Sequence, residues 1–215
     1  MRFYCFLVAL ALVPAAPSAA AGSLSGMTFV VDAGHGTRYP DGSPLNVGAV
    51  GPDGVQEAKV TLAVAEDLAG LLRTGGARVA LTRSYAHPYR VATNLRKDNR
   101  ARAALANAMR ATAFISIHAD SSLDPRKRGI SVFWLHPNSA RLARNVRAAL
   151  APLALGESEF RPRELAVTEE ARVPAVLVEL GFVSNPGQER LLATPAFEGR
   201  EAVALRDALA ETFAR

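Results

Sequence analysis

The chain has 215 residues, 49% of them hydrophobic and 21% charged, which excludes a disordered polymer and gives a single domain enough apolar material for a core without disulfides. Lysine and arginine number 25 against 20 acidic residues, a net charge of +5 spread without a dense basic tract. That argues against a nucleic-acid-binding arm and suits a surface that meets an anionic polymer.

The chain opens on Met1-Arg2, then an apolar run from Phe3 to Val13, then Pro14, Pro17 and Ser18 before Ala19-Ala20-Ala21. A positive start, a short apolar stretch and small residues make the layout of a secretory signal peptide cleaved after Ala21. The run is too short to span a hydrocarbon layer of about 30 Å. Residues 1–21 are therefore expected to leave, and residues 22–215 to form one exported domain in the periplasm, cell envelope or exterior. Cys5, the sole cysteine, leaves with the signal, so no disulfide is expected. No second apolar span follows, and no stable membrane insertion is expected after cleavage.

In the mature part, Met27–Val31 reads as a buried strand, followed by Asp32-Ala33-Gly34-His35-Gly36. Thr37–Gly54 is rich in Gly, Pro and Asp and reads as a long loop. Val55–Leu72 is a helix by the spacing of Val60, Val64, Leu68 and Leu71, stopped by Gly75-Gly76. Arg78–Thr82 is a strand, Ser84–Thr93 a loop and Asn94–Arg110 an alanine- and arginine-rich helix. Ala113–Ile117 is a strand with His118 at its exit, Ser121–Arg128 a charged loop, and Ile130–Leu135 a further strand. Ser139–Leu153 is helical, Leu165–Val167 a short strand, and Pro174–Leu180 a buried strand. Asn185 reads as an N-cap with Pro186 in the first helical position. Helices Pro186–Leu192 and Pro195–Phe213 close the chain. Strands alternating with helices predict an α/β single domain, a twisted, mostly parallel sheet flanked by helices on both faces.

In such sheets, sites form beyond the carboxyl ends of the strands. Three expected strand ends carry groups that bind metal or move protons: His35, His118 and Glu179. Gly34 and Gly36 around His35 allow close approach of a ligand. Glu57 opens the helix after the glycine-rich loop. Two imidazoles and a carboxylate make a catalytic zinc set with a fourth position for water, and a second carboxylate, Glu179, would serve as general base and acid. Each residue has a bland alternative. His35 and His118 are also what a loop or strand end can carry, and Glu57 is also a first-turn acid that complements the helix dipole. Glu179 interrupts the apolar run Pro174–Val178, where a carboxylate is costly without a partner or a task. His87 and His136 precede prolines in loops and read as structural. Asp32 and Asp120 flank the histidines and read either as orienters of an imidazole or as turn formers.

Taken together, Val30–Gly36, Gly48–Gly51 with Gly54–Glu57, Leu81-Thr82-Arg83, Ala106-Asn107, Phe114–Ala119 and Val173–Asn185 resemble the zinc-dependent N-acetylmuramoyl-L-alanine amidases of the Amidase 3 type. The resemblance spans Met27 to Phe213. It implies one zinc ion on His35, Glu57 and His118, with Glu179 as the catalytic glutamate. It implies a hydrolase of linear amides whose substrate is peptidoglycan, cut between N-acetylmuramic acid and the L-alanine of the stem peptide. The partners expected are peptidoglycan and no nucleic acid, with the protein a monomer. Two departures stand out. The 37–47 and 84–95 segments are long, and the space between Ser131 and Ser139 is too short for the regulatory helix that some relatives insert, which predicts an open groove. Two other readings of the residues are a carboxypeptidase-like zinc peptide hydrolase and a non-catalytic wall-binding domain.

Overall fold

In the computed structural model, residues 23–38, 42–85 and 95–214 are described; the expected signal peptide, Cys5 and His87 lie outside them. The elements in order are β1 (Thr28–Ala33), β2 (Thr37–Arg38), β3 (Pro44–Asn46), α1 (Glu57–Thr74), β4 (Arg78–Leu81), α2 (Leu95–Ala108), β5 (Ala113–Asp120), β6 (Ile130–Trp134), α3 (Ala140–Leu150), β7 (Glu157–Pro162), α4 (Ala166–Glu170), β8 (Ala175–Phe182), α5 (Pro186–Leu192) and α6 (Pro195–Phe213). Six strands form one sheet in the order β4-β1-β5-β8-β6-β7, and β2 pairs with β3 in a separate antiparallel hairpin. The first four strands of the sheet run parallel; β6 is antiparallel to β8, and β7 follows β6. The expected α/β class, mostly parallel sheet and helices on both faces are all present.

The strands owe their length to burial on both faces, which is why β1 reads Thr-Phe-Val-Val-Asp-Ala with every residue buried. Alternation divides the core in two. Phe29, Val31, Ile115, Ile117, Val176 and Val178 face one way, into a large core with the apolar stripes of α1, α3 and α6. Val30, Phe114, Phe133, Ala175 and Leu177 face the other way, under α2 and α4. α1 presents Val60, Val64, Leu68 and Leu72, all essentially inaccessible, and ends where Gly76 takes a φ of 92°. Asn185 caps α5 as expected, its side chain accepting from the amides of Gly187 and Gln188 at 3.0 Å each. Among the described residues, no helix is long and apolar enough to cross a membrane.

Several local expectations are corrected. Leu165–Val167 is not a strand: Leu165 precedes α4, and the strand of this region is β7, eight residues earlier in the chain. β7 is a solvent-facing edge with only two half-buried positions, so it lacks the apolar run that marks a buried strand. The 37–54 loop contains the β2–β3 hairpin. Strands β5 and β8 run to Asp120 and Phe182, beyond the expected stops at Ile117 and Leu180, because the ladder between them continues. It continues through a bulge. His118 pairs with Glu179 but Asp120 pairs with Phe182, leaving one extra residue in β8. Gly181 accommodates it with a φ of 154°, and the side chain of Gln188 accepts the Phe182 amide at 2.9 Å. His118 and Glu179 are therefore inside hydrogen-bonded strands, while His35 alone follows a strand end. The 135–139 link holds only a 3-10 turn at Pro137–Ser139.

Candidate metal centre and active site

Beyond the cover of α2 and α4, the same sheet face continues with Asp32, Ser116, His118, Glu179 and Ser131. His35 arrives from the β1 exit, where its φ of 59° places it in the left-handed region, a strained conformation for a side-chain-bearing residue. Glu57 arrives from the first residue of α1. The three meet: Nε2 of His35 and Nδ1 of His118 each lie 3.0 Å from Oε1 of Glu57. The rings of the two histidines stand edge to face with centroids 4.8 Å apart. One donor atom from each residue falls within 4.8 Å of the others, a grouping that could hold a metal ion. The His35 and His118 side chains keep 24% and 15% of their surface, so solvent reaches the cluster.

Glycines make the convergence sterically feasible. A Cβ on Gly34 would lie 2.5 Å from the His118 ring, and one on Gly48 would lie 2.5 Å from Oε2 of Glu57. The orientation of each donor is set by partners behind it. Nδ1 of His35 meets Oδ1 of Asn46 at 3.1 Å, and the same oxygen accepts from the Gly48 amide at 2.9 Å. Glu57 accepts from the amides of Ala49 and Ala119 at 3.0 and 3.1 Å. Burial opposes ionisation of Glu57, but hydrogen bonds with His118 and His35 outweigh it and hold the carboxyl well below its ordinary value.

Beneath the cluster lies a buried charge network. Asp32 accepts from Arg102 at 2.9 Å, from Ser116 at 2.6 Å and from Thr82 at 2.6 Å. Burial opposes its ionisation, but Arg102, Ser116 and Thr82 win, and its acidity is raised. Arg102 also donates to the carbonyls of Ala33 and His35, both at 2.9 Å. Arg83 donates to the carbonyls of Ala33, Gly34 and Ala58 at 2.8–2.9 Å. Burial, with Arg102 nearby, pushes Arg83 down to about 10, so it remains a cation at neutral pH. Two guanidinium groups thus hold the carbonyls of the strained 33–35 backbone. Among the described residues Asp32 bonds Thr82, Arg102 and Ser116 and no imidazole, contrary to one of its two sequence readings. Asp120 accepts the Ser121 amide, as a turn former does. Among the described residues, His136 approaches the Glu169 carbonyl, in keeping with its loop reading.

Glu179 sits directly beside His118 in the β5–β8 ladder and beside Ser131 of β6. Its Oε2 is buried without a hydrogen-bond partner among the described residues. Burial first, then the charges of Glu57 and Asp120, push its carboxyl well above the ordinary range. A carboxyl beside these three groups, with an oxygen that no described residue partners, has the chemistry of a proton donor or acceptor.

The profile of the N-acetylmuramoyl-L-alanine amidase family Amidase_3 matches residues 29–211. The chain belongs to that family. A probable cell wall amidase, LytH of Staphylococcus epidermidis, is 32% identical over 181 residues, which are 84% of this chain and 56% of the relative. LytH of Staphylococcus aureus is 31% identical over 170 residues, 79% of this chain and 52% of the relative. The chain therefore spans about half the length of these curated relatives. Among solved structures, the amidase AmiC2 of Nostoc punctiforme superposes with a TM-score of 0.77 at 26% identity, covering 89% of this chain and 99% of that one. The catalytic domain of the amidase CwlV from Bacillus (Paenibacillus) polymyxa var. colistinus gives 0.74 at 29% identity, with 86% and 97% covered.

The structure brings His35, Glu57 and His118 together with Glu179 one strand away, and the residues that hold them are not marked as such in the sequence. Asn46 lies in a segment read only as loop, and nothing local marks it as the partner of His35. Arg102 carried a usable signal, its spacing of four from Asp98 on one helix face, and it does contact that carboxylate at 3.4 Å.

Proposed function

We propose that this domain is a zinc-dependent peptidoglycan hydrolase that cleaves the amide between N-acetylmuramic acid and L-alanine. The observation that carries the proposal is the convergence of His35, Glu57 and His118 with Glu179 one strand away, in a chain of the amidase family. The donor set fits one zinc ion: two imidazole nitrogens and one carboxylate oxygen, each oriented by a partner behind it. When bound, zinc supplies a Lewis acid that polarises the amide carbonyl and activates water near neutral pH.

The chain's own groups do the rest. Glu57 is held ionised by its histidine neighbours and by two backbone amides, and so stays a ligand. Asn46 fixes the tautomer and ring plane of His35. Glu179 accepts the proton of the attacking water and returns it to the nitrogen of the leaving L-alanine, with its unpartnered Oε2 free to do so. Burial and the charges of Glu57 and Asp120 raise the Glu179 carboxyl, and positive charge held by His35, Glu57 and His118 would lower it toward the form that acts as a base. The layout of residues 1–21 and a wall substrate support export to the periplasm, envelope or exterior, with the signal removed.

Digestion of purified peptidoglycan tests the reading. The chain should release new L-alanine amino groups, and a chelator should abolish the release. Glu179→Gln should keep its zinc and lose activity by about 10²–10⁴-fold. Cleavage that survives complete chelation would remove zinc from the mechanism, and full activity in the glutamine variant would remove Glu179.

A further inference from the structure

Glu57 opens α1, yet the preceding Gln56 makes no side-chain cap for that helix. Its position must come from the turn before it. That turn is tied inward by backbone bonds: Gly51 donates to Val55 at 2.9 Å, Glu57 to Ala49 at 2.9 Å and Ala58 to Val47 at 3.0 Å. On its outer side the amides of Asp53 and Val55 point to one carboxylate, that of Glu189 on α5. Asp53 donates to both oxygens at 2.9 Å, and Val55 donates to Oε1 at 3.0 Å.

Glu189 is 0% exposed and makes no ion pair among the described residues. A buried carboxylate neutralised by backbone amides alone is costly, and its geometry is correspondingly strict. The turn is also pressed onto α5, since a Cβ on Gly51 would run into the Glu189 carboxylate and the Val183 carbonyl.

From this geometry we infer that Glu189 is a positioning residue for the metal centre. It seats the 50–56 turn on α5, and through the Ala49–Glu57 bonds it sets where the Glu57 carboxylate stands relative to His35 and His118. The inference rests on the zinc reading of that cluster. It also joins two halves of the site, because α5 follows directly from the strand that carries Glu179.

The test is metal affinity in the full chain, measured by Zn²⁺ competition against a chromogenic chelator, with the visible spectrum of the Co²⁺ form as a second readout. Apo stability in chelator, by circular dichroism, separates a purely structural role. Glu189→Gln keeps the size of the side chain but turns a donor toward the amides. Gly51→Ala pushes the turn from the other side and leaves the carboxylate in place. Each variant should bind Zn²⁺ about 10–100-fold more weakly and shift the Co²⁺ bands while the apo protein remains folded. A folded variant of either kind with parental affinity and spectrum overturns the role of Glu189 alone. Failure of the parent to bind Zn²⁺ overturns the zinc reading and this inference with it.

Discussion

Among the described residues, Asn46 is the side chain on the far nitrogen of His35, and its oxygen is shared with the Gly48 amide. Asn46→Ala removes the orienting acceptor without entering the cluster. It should weaken Zn²⁺ binding by about 10–100-fold while leaving the fold intact, which competition titration and circular dichroism would read. Parental affinity in that variant would mean that the hairpin backbone alone orients His35. At this scale the sequence was legible where chemistry forces a residue type. A glutamate within an apolar strand and a histidine between glycines stand out from their surroundings. The partners did not stand out, because an asparagine in a polar loop and a glutamate in a polar helix are unexceptional until folding brings them into place. Glu189 meets Asp53 across 136 positions of the chain.

At the scale of elements, α2 does more than cover a sheet face. It carries Arg102 into the space between Asp32 of β1 and Asp98 of its own preceding turn, with all three buried. Arg102→Met would leave two carboxylates in the interior without their cation. The expected loss is about 3–5 kcal/mol in chemical denaturation, with Zn²⁺ affinity falling as the 33–35 backbone loosens. A loss below about 1 kcal/mol would show that the network relaxes or hydrates when the cation goes. The central strands and the six-strand sheet's long helices are legible from the apolar pattern that burial dictates, and α5 from its Asn185-Pro186 start. β7 and α4 were misread because an exposed edge strand has no such pattern, and a three-residue apolar stretch is equally compatible with the start of a helix. β5 continues past His118, a polar residue still paired within the ladder, and β8 continues past Gly181, where a bulge and not a stop takes up the glycine.

The molecule as a whole keeps its chemistry on one sheet face and most of its apolar mass on the other, and α6 carries one exception. Glu201 is 0% exposed, and neither of its oxygens has a partner among the described residues. Burial, reinforced by Glu198, pushes its carboxyl well above the ordinary range. The folded state therefore holds a proton that the unfolded chain releases. Its stability is greatest below the unfolded value of about 4.3 and declines as pH rises toward the folded one. Glu201→Gln should change little near pH 4 and stabilise by about 1–3 kcal/mol near pH 8, read from denaturation midpoints at both. An equal gap at the two pH values would exclude the charge as its cause. The pairing of His118 with Glu179 has a different consequence. Side chains alternate along a strand, so a slip of one residue in β8 would turn Glu179 into the large core and put Val178 or Leu180 beside His118. With Glu179 in the proposed role, a molecule with that error would be silent and not merely slow. Specific activity in a preparation would then count the fraction of molecules whose central strands have found their register.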